Sequence, residues 1–297
     1  MVDGASSLAR RYGISDLAIG LTIVAFGTSA PELVVNSIAS FNSYDDIVLG
    51  NILGSNNFNL FIILGISGLI LPISVQSSTA WKEIPISLVA ALLLLVLAND
   101  FFLSSTPTSV SRLEGGLLLI LFLGFLYYVF KQMKQEENLH ITAAQMPLLR
   151  VWGLIVFGLA GLVIGGQLVV NHSISIATSL GVSEKIIGLT IVAAGTSLPE
   201  LVTSIIAALK KNSDIAVGNV IGSNIFNLLL ILSIGSLIAP IEYNPAFNQD
   251  LLILIGGTVF LLLAMFTGQR KRLDRWEAGL LFGAYLFYTG YLVMLEL

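Results

Sequence analysis

Glu32 and Glu200 sit inside long apolar stretches of this 297-residue chain, where a carboxylate is hardest to account for. Each follows a Gly-Thr-Ser-x-Pro sequence, GTSAPE (27–32) and GTSLPE (195–200). Pro31 and Pro199 lack an N–H and suit the first turn of a new helix, so each motif reads as a helix broken and restarted at depth. Such a break frees backbone carbonyls just upstream, near Ala25 and Ala193, and Thr28, Ser29, Thr196 and Ser197 add hydroxyl oxygens. Two further motifs, GNILGSNNFN (50–59) and GNVIGSNIFN (218–227), offer an opposing wall. Ser55 and Asn59 are four residues apart and share a helical face, as do Ser223 and Asn227. Taken singly, these Ser and Asn side chains could be glue between helices. Taken together, the set supplies only oxygen donors, which suit hard cations, and two carboxylates neutralise one Ca²⁺ without excess charge. A charge at the bilayer centre costs about 3 kcal/mol on insertion scales. No Lys or Arg lies at that depth, so the simplest partner is a bound cation or a proton; a structural pair of buried glutamic acids is the plain alternative.

The elements that hold these residues must be membrane helices. The chain is 56% hydrophobic and 11% charged, against roughly a quarter charged for a soluble domain. Apolar runs such as 84–98, 117–130, 151–170 and 251–266 recur throughout, and crossing the hydrocarbon core takes about 20 residues of helix. Hydropathy predicts an all-α polytopic protein with nine spans, at 14–41, 46–71, 82–99, 112–133, 149–178, 182–209, 214–239, 247–267 and 273–295. There is no basic groove for nucleic acid. With no cysteine, thiolate sites and disulfides are excluded. His140 and His172 fit no metal motif, and no nucleophile–base pair or HExxH suggests an enzyme. No cofactor is implied.

A shift of 168 residues brings GLTIVAFGTSAPELV (20–34) onto GLTIVAAGTSLPELV (188–202), and more than half of positions 13–73 match 181–241. The polar residues inside the spans are among those that match, which argues against a duplication without functional meaning. The halves divide as 1–133 and 149–297, joined by a linker at 134–148. With nine spans, 12 of the 14 Lys and Arg fall on one side, which marks it as cytoplasmic. The two repeats then enter the membrane in opposite senses, the ground plan of many secondary transporters, with the substrate site between them at the midplane. Residues 2–13 read as the tail of a helix that would match the one preceding the second repeat, so most of a first helix is expected to lie before Met1.

The paired motifs GTSAPEL with GSNNFN, and GTSLPEL with GSNIFN, resemble the two alpha repeats (20–60 and 188–228) of the sodium/calcium exchanger family, within the cation/calcium antiporters. The resemblance covers almost the whole chain. It implies ten helices in two inverted sets of five, of which the first is mostly absent here, in a multi-pass protein of the plasma or inner membrane. It implies exchange of Ca²⁺ for Na⁺ by alternating access, the first and sixth helices sliding over a rigid core, with H⁺-coupled or K⁺-dependent exchange as the alternatives. It also implies a central cation site: Glu32 and Glu200 as the carboxylates, Thr28, Ser29, Thr196 and Ser197 beside them, carbonyls of Ala25 and Ala193, and Ser55, Asn59, Ser223 and Asn227 completing the set. Many relatives carry Asp at one of the two Asn positions; here both Asn59 and Asn227 are amides.

Overall fold

A computed structural model describes the chain except for residues 13, 100–107, 136–145, 180–191, 268–270 and 297. The predicted span at 182–209 therefore lies partly outside the described residues. The other boundaries fall within a few residues of expectation. The helices are α1 (Val2–Tyr12), α2 (Asp16–Thr28), α3 (Ala30–Phe41), α4 (Asp45–Ile70), α5 (Thr79–Ala98), α6 (Arg112–Gln135), α7 (Leu148–Ser179), α8 (Ala193–Thr196), α9 (Leu198–Leu209), α10 (Ser213–Ile238), α11 (Pro245–Ala264) and α12 (Arg275–Glu296). Among the described residues, α4, α5, α6, α10 and α11 are long and apolar enough to cross a membrane, and α2 with α3, bent by 48° at Ser29, makes a sixth if taken as one span.

Burial separates these helices by role. In their most apolar windows α4 is 89% and α10 is 94% buried, against 39%, 33% and 39% for α5, α6 and α11. An apolar helix buried on all sides belongs to the centre of a bundle. The two central helices are also the ones rich in Asn and Ser, so their polar groups face protein rather than lipid.

The central pair runs antiparallel. The Glu242 N–H, just beyond the end of α10, donates to Asp45 Oδ2 at the start of α4 (3.0 Å). Gln76, beyond the end of α4, donates to Asp214 Oδ2 at the start of α10 (2.9 Å). Two short antiparallel ladders repeat the pattern. Ile73–Ser74 (β1) pairs with Arg272–Leu273 (β4), and Ser109–Val110 (β2) pairs with Ile241–Glu242 (β3). The tight turn into each central helix is the same in both halves, with Ser43 at φ 57° and its counterpart Lys211 at φ 59°. The inversion read from the Lys and Arg distribution is therefore present in the packing.

Close approach between halves depends on a missing side chain. A Cβ on Gly218 of α10 would sit 2.9 Å from the backbone oxygen of Leu17 and 3.1 Å from Gly20 Cα on α2. Neither backbone can step aside as a side-chain tip could. The helix α1 packs on α7, where Gly4 lies against Val151 and Ile155. Their contacts form a separate apolar cluster with Ile19, Val24 and Ile215, distinct from the main core around α4 and α10.

Two outcomes are expected. Ser43→Cys and Ser213→Cys, in a chain with no native cysteine, should react with an impermeant maleimide from opposite sides of a sealed vesicle. Gly218→Val should destabilise the purified protein by about 1–3 kcal/mol, seen as a lower unfolding temperature.

Candidate functional site

Each carboxylate is delivered by the short helix after a bend. Ser29 and Ser197 occupy the bends, with φ/ψ of −83°/8° and −84°/6°, and Pro31 and Pro199 stand in the first turn beyond. Glu32 and Glu200 then lie in the first turns of α3 and α9, where the helix dipole favours negative charge. The predicted oxygen donors come together. Ala25 and Thr28 are on α2, Ser55 and Asn59 on α4, Ala193 and Thr196 on α8, Ser223 and Asn227 on α10, and none of the twelve predicted residues is more than 5% exposed.

The two halves cross over to reach each other. Ser29 Oγ of the first repeat donates to Glu200 Oε1 (2.9 Å), and Ser197 Oγ of the second donates to Glu32 Oε1 (3.1 Å). Ser223 Oγ makes a further bond to Glu200 Oε1 (3.2 Å). Its counterpart Ser55 does not mirror this; its Oγ lies 3.4 Å from the Ala193 carbonyl and 3.5 Å from Thr196 Oγ1.

One expectation changes. The bends do not release the carbonyls of Ala25 and Ala193. Ala25 O accepts the Ser29 N–H (2.9 Å) and Ala193 O accepts the Ser197 N–H (3.1 Å), with the Thr28 and Thr196 hydroxyl oxygens 3.2 and 3.3 Å from these carbonyls. The helix bends at a single residue instead of unwinding, so the i→i+4 bond across the bend survives. The unwinding lies elsewhere. Asn59 and Asn227 each sit in a π-helical turn, Phe58–Ile63 and Phe226–Ile231, where the Leu64 N–H reaches Asn59 O and the Leu232 N–H reaches Asn227 O. Such π turns concentrate at functional sites, and apolar periodicity gives no sign of them.

Burial alone does not single out the glutamates. Glu83, Glu114, Asp250 and Glu277 are also buried, each near a helix start. Glu114 accepts the Ser111 N–H (2.7 Å) and Glu277 accepts the Asp274 N–H (2.8 Å), as helix caps. Tyr128 donates to Glu83, and Tyr288 to Asp250. Glu32 and Glu200 each have one oxygen bonded to hydroxyls while the other, Oε2, has no hydrogen-bond partner within the protein. Glu83 Oε2 is also unpartnered, but its repeat equivalent is Leu251, whereas Glu32 and Glu200 are equivalents of one another.

Asn59 Oδ1 and Asn227 Oδ1 are in the same condition. Four buried acceptors, two charged and two neutral and related in pairs by the repeat, fit a cation. An unsatisfied buried acceptor costs about 1–3 kcal/mol, more for a charged group. Among the described residues no group of three or more His, Cys, Asp or Glu gathers, so any cation here relies on two carboxylates plus neutral oxygens.

The motif asparagines not singled out from sequence complete the lattice. Thr28 Oγ1 donates to Asn219 Oδ1 (3.0 Å) and Thr196 Oγ1 to Asn51 Oδ1 (3.1 Å), each across the repeat boundary. Asn56 and Asn224 bond Asn227 and Asn59. Their signal was in the sequence, since all four Asn are identical between GNILGSN and GNVIGSN.

Comparison with known proteins points the same way. The sequence profile of the family described as "Sodium/calcium exchanger protein" matches residues 1–131 and 150–294. The inner membrane protein YrbG of Escherichia coli (strain K12) is 37% identical over 275 residues, covering 89% of this chain and 82% of YrbG. The sodium/calcium exchanger MaX1 of Methanosarcina acetivorans is 33% identical over 331 residues, covering 99% and 93%. A solved structure of the sodium-calcium exchanger NCX_Mj, soaked with 100 mM Na⁺ and 10 mM Sr²⁺, matches with a TM-score of 0.80 at 31% identity, covering 96% of this chain and 90% of that one.

The threonine bridges give a stability test. Thr28→Val keeps the shape but leaves Asn219 Oδ1 without its cross-repeat donor, and should cost about 1–3 kcal/mol in unfolding of the solubilised protein.

Proposed function

This chain belongs to the sodium/calcium exchanger family and is a multi-pass membrane antiporter for Ca²⁺ and a counter-cation, and we propose that the counter-cation is Na⁺ and that both ions use the Glu32–Glu200 site. The observation that carries this is the set of four buried oxygens without hydrogen-bond partners, Glu32 Oε2, Glu200 Oε2, Asn59 Oδ1 and Asn227 Oδ1. The hydroxyls of Thr28, Ser29, Ser55, Thr196, Ser197 and Ser223, and the remaining lone pairs of the Ala25 and Ala193 carbonyls, supply further oxygens.

Charge explains exchange. Two carboxylates in low dielectric carry a double negative charge that is costly to move through the membrane bare. One Ca²⁺ neutralises it, and so do two Na⁺, but the site cannot hold both sets without a net positive charge. An empty site is therefore the state the membrane resists, and each ion leaves most readily when the other replaces it. Protons on the two carboxylates would also neutralise the site, but each would be held by one or two oxygens, without need of both Asn59 Oδ1 and Asn227 Oδ1 and the surrounding hydroxyls. A metal ion uses those oxygens, which favours Na⁺ over H⁺ as the returning ion.

Calcium-45 uptake into proteoliposomes under imposed Na⁺, K⁺ or H⁺ gradients tests the coupling. Uptake should follow an outward Na⁺ gradient; uptake driven equally by a pH gradient without Na⁺ would replace Na⁺ by H⁺. Glu32→Gln and Glu200→Gln should each lower calcium flux by roughly 100-fold or more, because one buried charge loses its counterpart. Protein level and monodispersity should hold, since Gln keeps the shape and removes a buried charge. Wild-type flux in either variant would remove the basis for this ion site.

A further inference from the structure

We propose that Asn56 and Asn224 are positioning residues that fix, across the repeat boundary, which atom of Asn59 and Asn227 faces the cation. The proposal rests on the Glu32–Glu200 reading above and adds residues that lie behind its ligands.

The four side chains form a closed, twofold-related clasp. Asn59 Nδ2 donates to Asn224 Oδ1 (3.0 Å), and Asn227 Nδ2 donates to Asn56 Oδ1 (2.9 Å). Asn224 Nδ2 donates to the Asn56 backbone carbonyl (3.3 Å), and Asn56 Nδ2 lies 3.5 Å from the Asn224 carbonyl. All four are no more than 1% exposed, so no bulk water competes.

An asparagine amide has one donor end and one acceptor end, and its orientation is set by the network around it. Here the network has a fixed anchor. A backbone carbonyl can only accept, so the amide nitrogen of Asn224 must face Asn56 O. Asn224 Oδ1 is then turned to Asn59, which must answer with its nitrogen. That leaves Asn59 Oδ1 as the end without a partner, and the same chain of necessity runs from Asn224 O through Asn56 to Asn227 Oδ1. Without the clasp each ligand amide could turn its N–H₂ toward the ion, and a donor repels a cation. The π turns that carry Asn59 and Asn227 set the backbone position of these groups, and the clasp sets their rotation.

The bonding pattern makes a specific demand. Asn224 acts on Asn59, on the opposite helix, and not on Asn227, three residues along its own helix. Equilibrium calcium-45 binding to purified, detergent-solubilised full-length protein measures this without any counter-ion gradient. Asn224→Ala should weaken calcium binding about tenfold, the scale of one lost polar interaction. In an Asn59→Ala background it should add nothing, because the residue it orients is gone. In an Asn227→Ala background its effect should multiply, since the two belong to different halves of the clasp. A merely structural role would multiply in both backgrounds. The mirrored cycle, Asn56→Ala against Asn227→Ala and Asn59→Ala, gives an independent reading if Asn224→Ala does not yield monodisperse protein. Equal multiplication in both backgrounds, or unchanged binding in Asn224→Ala beside a weakened Asn59→Ala, overturns the clasp while the ion site stands. Wild-type protein that binds no calcium overturns both.

Discussion

Two carboxylates at the centre of a membrane bundle, with no basic residue in the motifs around them, are the constraint from which the remaining arrangement follows. The stretches 20–34, 50–60, 188–202 and 218–228 contain no Lys or Arg, and the described ion pairs Lys210–Asp3 and Arg272–Asp274 lie at the ends of helices. The protein answers with dipoles. Each glutamate stands in the first turn of a helix and takes a serine hydroxyl from the other repeat. These neutral donors lower the cost of the charge without cancelling it. A full ion pair would neutralise the carboxylates permanently and leave no reason for a cation to enter.

The same constraint accounts for the inversion. A hydroxyl from one bend can reach the glutamate of the other only if the bends face one another, and two bends on helices of opposite sense do so about a twofold axis. The exchange of Ser29 with Glu200 and Ser197 with Glu32, the threonine–asparagine bridges and the asparagine clasp all cross the repeat boundary. Neither half could satisfy its polar groups alone. The all-glycine contact at Gly20 and Gly218 lets the backbones approach closely enough for short side chains to make these bonds.

Most of this was legible in the sequence because it rests on hydropathy, on proline and on repetition. Span limits, the bends at Ser29 and Ser197 and the pairing of Glu32 with Glu200 come from those signals. What could not be read depends on i→i+5 bonding and on partners far apart in the chain. The π turns at Phe58 and Phe226 have the apolar composition of ordinary helix. Glu83 and Asp250, close to the starts of the predicted spans 82–99 and 247–267, are buried and accept hydrogen bonds from Tyr128 and Tyr288, 45 and 38 residues away. The carbonyls of Ala25 and Ala193 remain bonded because one bent residue satisfies the backbone, a choice between kink and break that Pro31 and Pro199 do not decide from sequence. Asn51, Asn56, Asn219 and Asn224 were in plain view as repeat identities, but which end of each amide donates is set by partners in the other repeat.

The departures from symmetry are as informative as the symmetry. In the second half, Asn219 Nδ2 bonds Ser204 Oγ (3.0 Å), tying the Glu200 helix to its central neighbour. The counterparts in the first half are Asn51 and Asn36. There Asn36 Nδ2 turns back to its own helix, to Glu32 O (2.7 Å), and the acceptor Asn36 Oδ1 and the donor Asn51 Nδ2 are both buried without a partner. One residue difference, Asn for Ser, has replaced a bond between helices with a bond within one. Ser223 bonds Glu200 from the central helix, while Ser55 lies against Ala193 instead of Glu32. The Glu32 helix is thus held to its central partner by fewer polar contacts than the Glu200 helix. Two halves with nearly the same motif therefore present their carboxylates on supports of unequal firmness, and a cation between them meets a site that is symmetric in chemistry but not in restraint.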